Sequence, residues 1–130
     1  MAHSVHVRWS VWDASPTVRW NNFGTEIEVT LEQPPVAVID FPLRNRIAIA
    51  TAPDQSEANE LRLYSYNGKV DITVLSTATA LPHCQFLFAR ELPTGEIEAG
   101  VCYEGAPWGS DQAGVLDLQT GTLCQLHPIR

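Results

Sequence analysis

Apolar and polar residues alternate over short runs along most of this chain. Val5, Val7, Trp9 and Val11 fall on one side of an extended segment, and His6, Arg8, Ser10 and Trp12 fall on the other. A short strand at Thr17-Val18-Arg19-Trp20 follows the turn cluster Asp13-Ala14-Ser15-Pro16. After Asn21-Asn22-Phe23-Gly24 the alternation resumes, with Ile27, Val29 and Leu31 inward and Glu26, Glu28, Thr30 and Glu32 outward. These runs predict an N-terminal meander with one solvated face. Pro34-Pro35 then stops the pairing, because neither residue can donate to a ladder. Val36–Phe41 and Arg46–Ala50 are apolar on both faces over part of their length, which predicts central strands covered twice. Pro53–Asn59 is the one candidate helical turn, with Asp54 and Glu57 at capping-box spacing. Further strands are expected over Gln85–Glu91, Glu96–Tyr103, Gly114–Leu118 and Thr122–His127, with Ser76–Pro82 and Glu104–Gly114 as loops.

The strongest local signal is Asn59–Leu75, two alternating runs joined by Asn67-Gly68. Asn-Gly suits a tight type I′ hairpin, in which both central residues take positive φ. Arg62, Tyr64 and Tyr66 then share a nominally outward face that is rich in aromatics. Strand–turn–strand text recurs at Leu63–Val70, Arg90–Ile97 and Leu116–Leu123, around Gly68, Gly95 and Gly121. These hairpins resemble those of β-propeller blades, over residues 36–127. The chain is too short for a closed propeller, so the resemblance implies a ring completed by oligomerisation. The expected fold is one all-β domain over residues 1–130, about ten short antiparallel strands in a meander that forms a sandwich or barrel, with propeller-blade-like sheets as the alternative.

Length and composition agree with that class. A chain of 130 residues can bury about two-thirds of the surface its unfolded form exposes, so no metal or disulfide staple is required. The net charge is −7, and the cations are seven arginines and Lys69, scattered without a basic stripe. That balance opposes nucleic-acid binding and permits a basic protein partner. Cys84, Cys102 and Cys124 form no metal or redox spacing and read as reduced thiols. The first residues lack the basic and apolar segments of a signal peptide, and no apolar run has membrane-spanning length, so a cytoplasmic protein is expected.

Candidate chemistry is sparse. Glu26/Glu28 and Glu96/Glu98 are Glu-x-Glu steps with side chains roughly 7 Å apart on one strand face. Two such pairs on neighbouring strands could hold a hard cation or supply a glycosidase acid and nucleophile, but a solvated face with Arg8, Arg19 or Arg62 as partners explains them more simply. His83-Cys84 and Cys124/His127 point to opposite strand faces, and His3/His6 is a weak metal signal. Ser110 follows Gly109 but lacks the Gly-x-Ser-x-Gly context of a nucleophile elbow. No phosphate-binding or dinucleotide loop is present, and no cofactor is expected.

The sequence therefore points to a non-catalytic binding or protein-interaction module that self-associates. Trp12, Arg62, Tyr64, Tyr66 and Trp108 are its contact candidates, since exposed aromatics mark partner or ligand surfaces. The alternative is a β-barrel with an interior small-molecule pocket into which Arg90, Gln85 or Tyr103 would point, an undetected enzyme being a special case. Expected partners are a second copy, a basic protein or a small molecule, with no nucleic acid and no membrane.

Overall fold

The computed structural model describes residues 5–9, 15–51, 60–75, 84–103, 111–117, 119–120 and 122–128. Eleven strands form among them: β1 (Val7–Arg8), β2 (Thr17–Asn22), β3 (Thr25–Thr30), β4 (Ala37–Phe41), β5 (Arg46–Thr51), β6 (Glu60–Ser65), β7 (Val70–Leu75), β8 (Cys84–Glu91), β9 (Ile97–Tyr103), β10 (Gln112–Asp117) and β11 (Thr122–Pro128). They make three antiparallel meanders: a three-stranded N-terminal sheet β1-β2-β3, a middle sheet β4-β5-β6-β7 and a C-terminal sheet β8-β9-β10-β11. The all-β meander is as expected, and its form is a sandwich-like stack. None of the three sheets closes into a barrel among the described residues. The candidate helical turn at Pro53–Asn59 and the loop at Ser76–Pro82 lie outside the described residues. The last loop is shorter than expected, because β10 already begins at Gln112.

Two apolar clusters set the layer order. Val5, Val18, Trp20 and Leu31 of the N-terminal segment pack with Ile47, Ile49, Tyr64 and Tyr66 of the middle one. Phe41, Ala48, Ala50, Leu61 and Leu63 pack with Ile97, Ala99, Val101, Leu116 and Leu123. The middle sheet is thus covered on both faces, and β5 is buried from Ile47 to Thr51. Its period of two sends Ile47 and Ile49 to the N-terminal sheet and Ala48 and Ala50 to the C-terminal one. Each buried isoleucine contributes about 1.5–3 kcal/mol over leaving it in water. Small residues on β5, β8 and β9 (Ala48, Ala50, Ala89, Ala99) let the sheets approach, and β4 lies against β8.

The turns carry a correction. Gly68 has φ of 92°, but Asn67 does not share the positive φ of a type I′ turn. Gly68 N donates to Ser65 O at 2.9 Å and Ser65 N to Lys69 O at 2.8 Å. That is a three-residue loop, a type I turn closed by a left-handed glycine. Leu92–Glu96 repeats it around Gly95, with Pro93 where its fixed φ suits a type I turn. The tight turn with two positive φ values is instead Phe23–Gly24, at 50° and 86°, between paired Asn22 and Thr25. Gly68 joins the last two strands of its sheet, whereas Gly95 joins the first two strands of the next. The spacing of the hairpin glycines is therefore a hairpin spacing, and the larger unit is a four-stranded sheet.

Candidate functional site

Trp12 and Trp108 lie outside the described residues. Arg62, Tyr64 and Tyr66 are brought together, but against the N-terminal sheet. Tyr64 is 4% exposed and Tyr66 is 6% exposed, so the expectation of an outward aromatic face is overturned. The physical reason is the third layer: a tyrosine on a sheet face is equally suited to water or to a core that supplies a hydroxyl partner. Tyr66 also leaves the strand alternation, because it sits in the three-residue loop.

Tyr66 ties the two layers together. Its hydroxyl donates to Asp40 Oδ1 at 2.6 Å, and Val5 N donates to Asp40 Oδ2 at 3.3 Å. Trp20, fully buried on β2, donates its indole Nε1 to Tyr66 O at 2.8 Å. Burial pushes the Tyr66 phenol above its ordinary pKa, and the hydrogen bond to Asp40 and the charges of Asp40 and Glu91 push it the same way. The group stays protonated at neutral pH and acts as a fixed donor. At the other end of the same interface Arg62 pairs with Glu60, which is 7% exposed. Burial disfavours the Arg62 charge, but hydrogen bonds to Tyr64 and Glu60 and the Glu60 charge outweigh that loss and raise its pKa.

The Glu-x-Glu steps do not converge. Glu26 pairs with Arg8, and Glu28 accepts from Arg19 Nε at 2.8 Å, both on the outer face of the N-terminal sheet. Glu98 pairs with Arg90 at 2.7 Å on the C-terminal sheet, beyond the middle layer. Among the described residues no three of His, Cys, Asp and Glu gather as metal ligands. His3, His83 and Ser110 lie outside the described residues. Arg90 is exposed and paired on the outer face, where a barrel pocket would have needed it inside.

A cleft that the sequence reading missed opens on the middle sheet beside the β4–β5 turn. It measures about 240 Å³ and is lined by Leu43, Arg44, Arg46, Leu63 and Asp71. The β4–β5 turn spans it, held by Leu43 N donating to Glu91 Oε1 at 2.8 Å and by Arg44 Nε donating to Gly95 O. Arg46 Nε donates to Asp71 Oδ2 at 2.6 Å, and its Nη1 donates to the carbonyls of Arg44 and Asn45, each at 3.1 Å. The available signal was Arg44 and Arg46 on either side of Asn45, two cations in an acidic chain at a turn.

The two outer faces of the stack differ. The N-terminal one carries Arg8, Arg19, Asn21, Glu26 and Glu28, all exposed. On the C-terminal one, register aligns Arg90, Glu98, Val115 and Cys124 across the four strands and Gly100 beside Ala113. Gly100 and Ala113 are buried, Val115 is half-buried, and Cys124 is exposed with its thiol near Val115 O at 3.4 Å. Among the described residues no helix is long and apolar enough to cross a membrane. No family model, curated protein or solved structure matches the chain.

Proposed function

We propose that the chain is a non-catalytic interaction module that pairs with a second copy of itself through the outer face of its C-terminal sheet. The contrast between the two outer faces carries this reading. Covering the N-terminal face would strip water from two arginine–glutamate pairs, and desolvation of that kind consumes what the contact gains. The opposite face exposes Cys124 and part of Val115 over the buried Gly100 and Ala113, and among the described residues it carries a single ion pair, Arg90–Glu98. Two copies that each carry a net charge of −7 repel least when they meet through such a face.

The same contrast disfavours a propeller-like ring, which would bury the charged face as well. It also gives a basic partner less to hold, because Glu26, Glu28 and Glu98 are all occupied by arginines. Strands of six to eight residues make a face roughly 20 Å on a side. That lies at the small end for a stable interface, so the association is weak and concentration-dependent. Sedimentation equilibrium over a dilution series tests it. The expected mass rises from 14.4 kDa toward twice that value, and rises further as salt screens the like charges. A mass that stays at one chain at every concentration and salt overturns the reading.

A further inference from the structure

We propose that the cleft beside the β4–β5 turn, lined by Leu43, Arg44, Arg46, Leu63 and Asp71, binds a small organic carboxylate, an acid group on a compact apolar body, with Arg44 as its anchor. Arg8, Arg19, Arg46, Arg62 and Arg90 each have a carboxylate within 4.0 Å. Among the described arginines Arg44 alone has none; it donates Nε to the Gly95 carbonyl of the neighbouring sheet. That bond fixes the side chain beside the cleft and uses Nε only. The two Nη nitrogens are the edge that meets a carboxylate with parallel N–H···O bonds.

The surrounding charges set the ligand class. Arg46 and Asp71 cancel each other, so the lining keeps the single positive charge of Arg44. Glu91 grips the turn through Leu43 N and disfavours a second negative group on the ligand. Leu43, 49% exposed, gives one apolar wall, and the buried Leu63 gives another. The volume of about 240 Å³ exceeds the roughly 150 Å³ cavity that holds benzene and falls below drug-sized pockets. A benzoate-sized acid fits those limits. This site is separate from the outer face of the C-terminal sheet, so it stands or falls independently of self-association.

Amide NMR titration with sodium benzoate, and with benzamide as its uncharged counterpart, tests the proposal. Benzoate is expected to give saturable shifts confined to residues 42–46, 63, 71 and 92–96, with a Kd on the order of 1 mM. Benzamide on the wild type, and benzoate on Arg44→Gln, are each expected to bind about tenfold more weakly. Arg19→Gln, on the far sheet, should bind benzoate as the wild type does. The proposal is overturned if those residues show no saturable shifts, if benzamide matches benzoate, or if Arg44→Gln keeps full affinity. Should Arg44→Gln disturb the turn, the map of shifted wild-type amides decides the question alone.

Discussion

Replacing Gly68 by alanine separates two costs that usually arrive together. Its φ of 92° is one that side chains resist, and a left-handed residue costs about 1–2 kcal/mol. A Cβ there would also stand 2.8 Å from Ile27 Cγ2 on β3, well inside an ordinary carbon contact. Repacking against such an overlap costs about 1–3 kcal/mol, toward the low end because Ile27 is only half-buried and can move. Stiffening the unfolded chain returns about 0.4–1 kcal/mol, which leaves a net loss of about 1–3 kcal/mol. Two glycines supply the strain without the overlap. Gly24 at 86° has nothing within 4 Å of its Cβ position, and Gly95 at 88° has only Arg44 Nε at 3.9 Å. Each Gly→Ala change there should cost about 1 kcal/mol. Urea unfolding measures all three, and adding Ile27→Ala to Gly68→Ala should recover about 1 kcal/mol beyond additivity. If Gly68→Ala costs no more than the other two, the hairpin does not press on β3 and the layer order is wrong.

Other outcomes follow from the Trp20–Tyr66–Asp40 junction. Trp20→Phe leaves the buried Tyr66 carbonyl without the indole donor and should destabilise the fold by about 1–3 kcal/mol in the same urea assay. Because folding raises the Tyr66 pKa above its ordinary value of 10.0, the protonated phenol favours the native state. That stability is full below pH 10.0 and is lost as the pH climbs above it, when the unfolded chain ionises first. Tyr66→Phe should therefore lose less stability than the wild type between about pH 10 and pH 12. Ultraviolet titration of the wild type should show a tyrosine ionisation, lost in Tyr66→Phe, above the ordinary value of 10.0.

Legibility followed the number of covered faces. The N-terminal runs alternate because one face meets water, and Ile27, Val29, Glu26 and Glu28 fall where the pattern put them. The double apolar character of Arg46–Ala50 correctly marked a strand covered twice. Tyr64 and Arg62 misled because their polar ends suit a solvated face and a hydrogen-bonded interface alike. Tyr66 misled because the loop has three residues rather than two, which moves it off the strand and into the junction. Asn-Gly is compatible with both turns, so the dipeptide alone does not choose between them. The cleft was illegible because it sets the β4–β5 turn beside Leu63 and Asp71, and the turn itself is held by Glu91 and Gly95, some fifty residues away, through contacts that no local pattern encodes.

The pairing of two copies is tested most directly by comparing the wild type with Val115→Glu and Arg19→Glu in sedimentation equilibrium at one high concentration. Val115 lies half-buried in the middle of the proposed contact, and Arg19 lies on the opposite outer face. The wild type and Arg19→Glu should show a mass above 14.4 kDa that falls on dilution, while Val115→Glu, with its fold intact by circular dichroism, stays at one chain. A wild type that remains a single chain, or a Val115→Glu variant that associates as readily as the wild type, would contradict the account.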